Sequence, residues 1–166
     1  MSERRVARML HGEIPTLFEA PPSQDYTKDI ILLGVPYEGI LVADRHTLYP
    51  PGSHPPESFY ARSGADRAPD AIRQASVIYS LEHEGGIAAE VNFANISERL
   101  EIIDAGNHKV EGAEDIAEQA AQSDAMTITL GGDHLVPLPL IRGKQKGKRE
   151  RTGVVVFDSH LDLHLS

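Results

Sequence analysis

Three observations predict a parallel α/β fold for this chain. Apolar residues recur in continuous rather than alternating blocks of four to six, the mark of strands covered on both faces. Helical segments lie between most of these blocks, and strands alternating with helices imply a parallel sheet. Two groups of metal-capable residues follow directly on two of the blocks, where open parallel sheets gather their ligands. They are Gly131-Gly132-Asp133-His134 and Asp158-Ser159-His160-Leu161-Asp162.

Each element can be justified in order. Residues 1–28 are polar and carry Pro15, Pro21 and Pro22, which suggests an arm laid across the surface. Ile30 to Val35 is a continuous apolar run closed by Pro36, and is expected to be the first buried strand. Residues 38–66 are rich in proline and glycine without a period; a loop of that length inside a domain is usually functional or disordered. Pro69 to Ser76 reads as a helix with proline in its first turn. Gly85-Gly86 marks a turn, and Ile87 to Phe93 suits a short edge strand. Leu100 to Ile103 is expected as the second buried strand, ending at Asp104-Ala105-Gly106-Asn107. Gly112 to Gln122 is Ala-rich with early acidic residues, which complement a helix dipole. Ala125 to Leu130 reads as a third strand, Val136 to Ile141 as a short helical start, and Gly153 to Phe157 as a fourth strand. Neither a repeat nor a linker divides the chain.

Composition narrows the functions. A chain of 166 residues with 40% hydrophobic content suits one domain with a real core. No apolar run approaches the roughly 20 residues that span a bilayer, so no membrane partner is expected. Met1-Ser2-Glu3-Arg4-Arg5 leads into no signal-like stretch, so the expected location is cytoplasmic. With no cysteine, any metal must take oxygen and imidazole donors. A net charge of -9 argues against nucleic acid, whose binding rests on cations meeting phosphate, and would suit a small cationic substrate.

The two glycines let the chain turn sharply after the third strand, where Asp133 can cap the next helix and His134 can offer a ring nitrogen. A purely structural turn is the competing reading. Asp158, His160 and Asp162 are more specific. Fully extended, the outer two would stand about 13 Å apart at roughly 3.3 Å per residue, whereas paired catalytic metals are only about 3.5–4 Å apart. The backbone must therefore curl over the strand tip if all three are to converge. The bland alternative is a polar strand end with Asp158 capping a loop. Two such groups at neighbouring tips favour the metal.

At these residues the chain resembles the ureohydrolase family, meaning arginases, agmatinases and their formiminoglutamate- and guanidino-hydrolysing relatives. The likeness runs from about residue 30 to the end. Ile31 to Gly39 looks like the family's opening strand and loop, and Gly64 to Arg73 like its Gly-Ala…Pro-x-x-Ile-Arg helix entry. Asp104-Ala105-Gly106-Asn107 looks like its Asp-x-Gly-Asp/Asn strand end, and the two metal motifs match in order and separation. The resemblance implies two Mn2+ ions, with His134 on the first, Asp158 bridging both, His160 on the second and Asp162 on the first. It also implies hydrolysis of a guanidinium carbon in a small cationic substrate, releasing urea and an amine, by a homo-oligomer. Hard oxygen donors with fewer imidazoles suit manganese. Leu135 replaces the family's usual Ser or Thr, and Ser159 its usual Ala.

Residues and resemblance together predict the amino-terminal part of a single three-layer α/β/α, arginase-like domain, truncated after the fourth strand. The resemblance places the family's remaining two ligands, an Asp-x-Asp strand end, and its proton-shuttling histidine beyond Ser166. Four ligands fall short of the roughly six that each hard divalent ion takes. The first expectation is an agmatinase-like manganese hydrolase carrying the first half of a binuclear site. The alternative is an inactive fragment or pseudoenzyme, or a half-site completed by a partner chain. The related deacetylases share the layered fold but fit less well, because of the Gly-Gly-Asp-His turn and Asp162. His164, His46, His54 and His108 are left out of the ligand set. Glu38 and Asp44 read as exposed loop acids, and Lys144 to Arg151 as a solvated loop.

Overall fold

The computed structural model describes residues 9–11, 14–38, 64–77 and 99–159. The expected strand at Ile87–Phe93 and most of the long loop, with Asp44, His46 and His54, lie outside these residues, as do His160, Asp162 and His164.

Two short strands, β1 (Met9–His11) and β2 (Ile14–Pro15), pair antiparallel. They are followed by β3 (Ile30–Val35), α1 (Ala68–Ser76), β4 (Ile102–Asn107), α2 (Val110–Gln122), β5 (Met126–Gly131) and α3 (Pro137–Lys148). β3 lies at the centre of a parallel sheet, with β4 on one side and β5 on the other. The predicted parallel α/β class is the one observed.

Alternation along β3 divides its side chains between two layers. Ile31, Leu33 and Val35 pack with Ile103, Ala105 and the α2 residues Ala113, Ile116 and Ala120. Ala113, Ile116, Ala117, Ala120 and Ala121 are buried at the i, i+3, i+4 spacing of an amphipathic helix. Leu32 faces the other way, against Leu17 and Ala20, with Ile30, Ile102 and Leu130 around them. The amino-terminal arm therefore does more than run over the surface, because its Leu17 and Ala20 are core residues.

The arm also runs beside β4. Asp104 N–H donates to Pro21 O (2.9 Å) and Ser23 N–H to Asp104 O (3.1 Å). A buried ion pair secures this corner. The Arg73 guanidinium, fully buried on α1, meets both carboxylate oxygens of Asp104 at 2.9 Å. Asp104 also accepts from Leu17 N–H (2.7 Å) and Gly106 N–H (2.9 Å). A buried carboxylate needs this many donors, since stripping charge of water is costly unless its lone pairs are satisfied.

Three segments differ from expectation. β4 runs through Asp104–Asn107, which read as a strand end, because the arm and β3 pair with it there. α3 continues to Lys148 instead of stopping near Ile141, so the lysine-rich run is its last turns rather than a loop. Cations there complement the negative end of the helix dipole. Gly143 and Gly147 let α3 approach α2 closely, since a Cβ on either would come within 2.8 Å of Ala117 Cβ and 2.7 Å of Ala121 Cβ respectively. Finally, Gly153–Phe157 forms no strand. A continuous apolar run becomes a buried strand only when it is paired and covered, and here Val155 is 79% and Phe157 98% exposed.

Candidate functional site

The carboxyl ends of the three parallel strands are zipped to one another through the exit of β3. Val35 O accepts from Tyr37 N–H (2.9 Å), a three-residue turn set up by Pro36, and from Gly132 N–H (3.1 Å). Tyr37 O accepts from Asp133 N–H (2.9 Å), and Gly34 O from His108 N–H (2.8 Å). The Gly131–His134 turn is thus hydrogen-bonded to Val35 and Tyr37.

Gly132 is required by proximity. A Cβ there would stand 2.7 Å from the Tyr37 backbone N and C atoms, and its φ is not in the left-handed region. Asp133 does not cap α3, as the sequence suggested. Its carboxylate accepts from Leu135 N–H (2.9 Å) and its carbonyl from Val136 N–H (3.2 Å), so it shapes the turn that precedes the helix. His134 stands on that turn, exposed at the tip of β5.

Asp158, following Phe157, is also exposed, while His160 and Asp162 lie outside the described residues. Among the described residues, no three His, Asp or Glu side chains come together as a metal cage. Nothing in the sheet registers residues 153–157 against β5, so no strand ladder sets where Asp158 stands relative to His134. Between β5, α3 and this segment lies an open groove of about 750 Å³, lined by Thr129, Gly131, His134, Leu140, Thr152 and Val155 among others.

Other polar residues at the strand tips make contacts that the sequence did not reveal. Asn107, ending β4, accepts from Arg73 Nη1 (2.5 Å) and donates to Asp70 (2.7 Å). Glu38, expected to be an exposed loop acid, is half-buried and accepts from Gly64 N–H at 2.8 Å. His108 is half-buried, with its Nε2 2.9 Å from Ala105 O. A Gly following a long proline-rich stretch was the only signal for the Glu38 contact, and it named no partner. Among the described residues, no helix is long and apolar enough to cross a membrane.

A parallel sheet with a glycine-built histidine turn at a strand tip defines an α/β protein. Comparison with known proteins makes this specific. Residues 28–166 match the model of the arginase family, and the chain belongs to that family. It is 36% identical over 114 residues to an agmatinase of Neisseria meningitidis serogroup C, a match covering 62% of this chain and 35% of that protein. Agmatinases of Neisseria gonorrhoeae (35% identical) and Shigella sonnei (33%) match over the same shares. The match therefore spans about a third of the length of these curated relatives.

Proposed function

We propose that this protein is a manganese-dependent hydrolase of guanidino C–N bonds, agmatinase-like, that releases urea. The observation carrying the reading is the Gly131–His134 turn, hydrogen-bonded to the exit of β3 within a chain of the arginase family. The donors fit the ion. His134, Asp158, His160 and Asp162 offer imidazole nitrogen and hard carboxylate oxygen, there is no cysteine, and that set suits Mn2+ over softer metals. Two bound ions would make hydroxide available near neutral pH and stabilise charge developing on the substrate.

The chain's own contributions follow from its geometry. His134 is exposed, so its ring can be offered to an ion without rearranging the core. The Asp133 turn sets the backbone direction that carries it. A net charge of -9 favours approach of a small cationic guanidino compound over an anion. A cytoplasmic homo-oligomer goes with this reading.

A second reading follows from the donor count, because four ligands fall short of the roughly six that each hard divalent ion takes. In it the chain holds a half-site completed by a partner chain, or none that works. Dialysis against metal-free buffer after loading with Mn2+, followed by metal analysis and urea release from agmatine, separates the two. Retention of about two ions per chain with urea release supports the enzyme. Loss of all manganese with no urea from agmatine, arginine or guanidino acids would sink it and favour the half-site.

A further inference from the structure

Glu38 lies outside the proposed ligand set, yet its hydrogen bond to Gly64 and the contacts of its neighbour Tyr37 link it to the turn that carries His134. Its carboxylate accepts from Gly64 N–H at 2.8 Å, a bond joining residues 26 positions apart. Gly64 is held at φ 116, a left-handed conformation that suits glycine, and leads through Ala65–Arg67 into α1. α1 in turn is locked to β4 by the buried Arg73–Asp104 pair. Glu38 therefore ties the exit of β3 to a fixed part of the fold.

The Tyr37 carbonyl belongs to the same planar peptide unit as the Glu38 nitrogen and Cα. Pinning the Glu38 side chain restricts rotation of that plane, and so the direction of Tyr37 O. That oxygen is the acceptor for Asp133 N–H (2.9 Å), the residue before His134. Gly132, packed against Tyr37, has no side chain to adjust if the plane turns.

We infer that Glu38 is a positioning residue: by holding Gly64 it fixes the Tyr37–Glu38 peptide, and through it the Gly132–His134 turn. The inference rests on the functional reading above only for what the turn is used for; the mechanical link stands on the hydrogen bonds. Glutamine keeps an acceptor oxygen at the same reach, so Glu38→Gln should preserve the link and Glu38→Ala should break it.

The test compares amide hydrogen exchange, read by NMR on the full chain, for the native protein and both variants. In Glu38→Ala, the amides of Gly64, Gly132 and Asp133 should exchange about tenfold faster or more, the scale of one lost hydrogen bond to a charged group. Leu33 and Ala117 amides should keep their rates, and Glu38→Gln should restore the three that changed. Acceleration at Gly64 alone would overturn the inference and leave Glu38 as a tie between two chain segments. Acceleration spread equally over the core, or no rescue by glutamine, would overturn it as well. A parallel Mn2+ titration by paramagnetic resonance keeps the two ideas apart. If native protein binds Mn2+, Glu38→Ala should weaken it about tenfold or more, as loss of a supporting group does. Unchanged affinity would overturn the positioning role. If native protein binds no Mn2+, the functional reading fails and the exchange data alone decide Glu38.

Discussion

The two outer strands of the sheet are treated very differently. β4 has the arm against it, and Ile103, Asp104, Ala105 and Gly106 are all buried. β5 pairs only with β3 among the described residues, and Met126 and Ile128 remain 60% and 42% exposed. Both strands follow from equally apolar stretches of sequence. What separates them among the described residues is a neighbour: one edge has a segment that offers donors and acceptors to it, the other has a groove. An open strand edge presents unpaired peptide groups, so covering it is itself a structural function.

The largest test of this contrast is at Asp104. Its loss in Asp104→Ala would leave the buried Arg73 without its close ion-pair partner, with only Asp70 at 3.8 Å, and free the arm at Leu17. Removing one partner of a buried pair costs about 3–5 kcal/mol, which urea denaturation would register. Ile128→Thr, on the open edge, should change stability by no more than about 0.5 kcal/mol. Equal effects at both sites would mean that the two edges are not differently supported.

A smaller effect is expected where α3 meets α2, the packing that supports the β5 side. Gly147→Ala places a methyl against Ala121 Cβ and, at 2.5 Å, against Glu118 O. Overpacking of this kind costs about 1–3 kcal/mol, and thermal unfolding followed by circular dichroism would show it. An unchanged melting temperature would mean that the helices separate freely, so that α3 adds little to this side.

These sites also show what a reader of the sequence can and cannot recover. β3 was legible to the residue because Pro36 ends an unbroken apolar run, and α1, α2 and β5 were legible within about two residues. The full length of α3 was obscured by lysines and glycines, although Gly143 and Gly147 stand four apart opposite an alanine-rich helix. That spacing was the available signal. Gly153–Phe157 was over-read for the opposite reason, since apolarity reports a wish to be covered and cannot report whether a cover exists. The turn after β5 was legible through Gly131 and Gly132, whereas the Glu38 and Asp104 contacts join residues 26 and 31 positions from their partners Gly64 and Arg73, and nothing local announces them. His160 and Asp162 fall outside the described residues, and the metal role of His134 and Asp158 rests, like theirs, on sequence.

The exposed apolar run offers a test with little effect on stability. Phe157→Ser should leave the denaturation midpoint within about 0.5 kcal/mol of native, because a side chain 98% exposed has almost no burial to lose. Binding of a hydrophobic dye should fall. A large loss of stability would show that Phe157 is covered in solution, and the contrast between the two edges would shrink.

The smallest effect belongs to a pair at the far end of the β5 side. Lys148, closing α3, holds the Asp124 carboxylate just before β5. The hydrogen bond from Lys148, and then its charge, lower the Asp124 pKa from its ordinary 3.8. A depressed carboxylate adds stability at pH above its unfolded value, and that contribution is lost as pH falls through the lower folded value. The window therefore lies below about pH 4, beneath the ordinary carboxylate range. In water the pair is screened, so Lys148→Ala should barely move the melting temperature at neutral pH. It should move the Asp124 titration midpoint, followed by carboxyl NMR, upward toward the ordinary value. A midpoint already ordinary in the native protein would mean that Lys148 does not hold Asp124 in solution. The β5 side would then rest on the glycine-mediated packing of α2 and α3, without an ionic tie at its base.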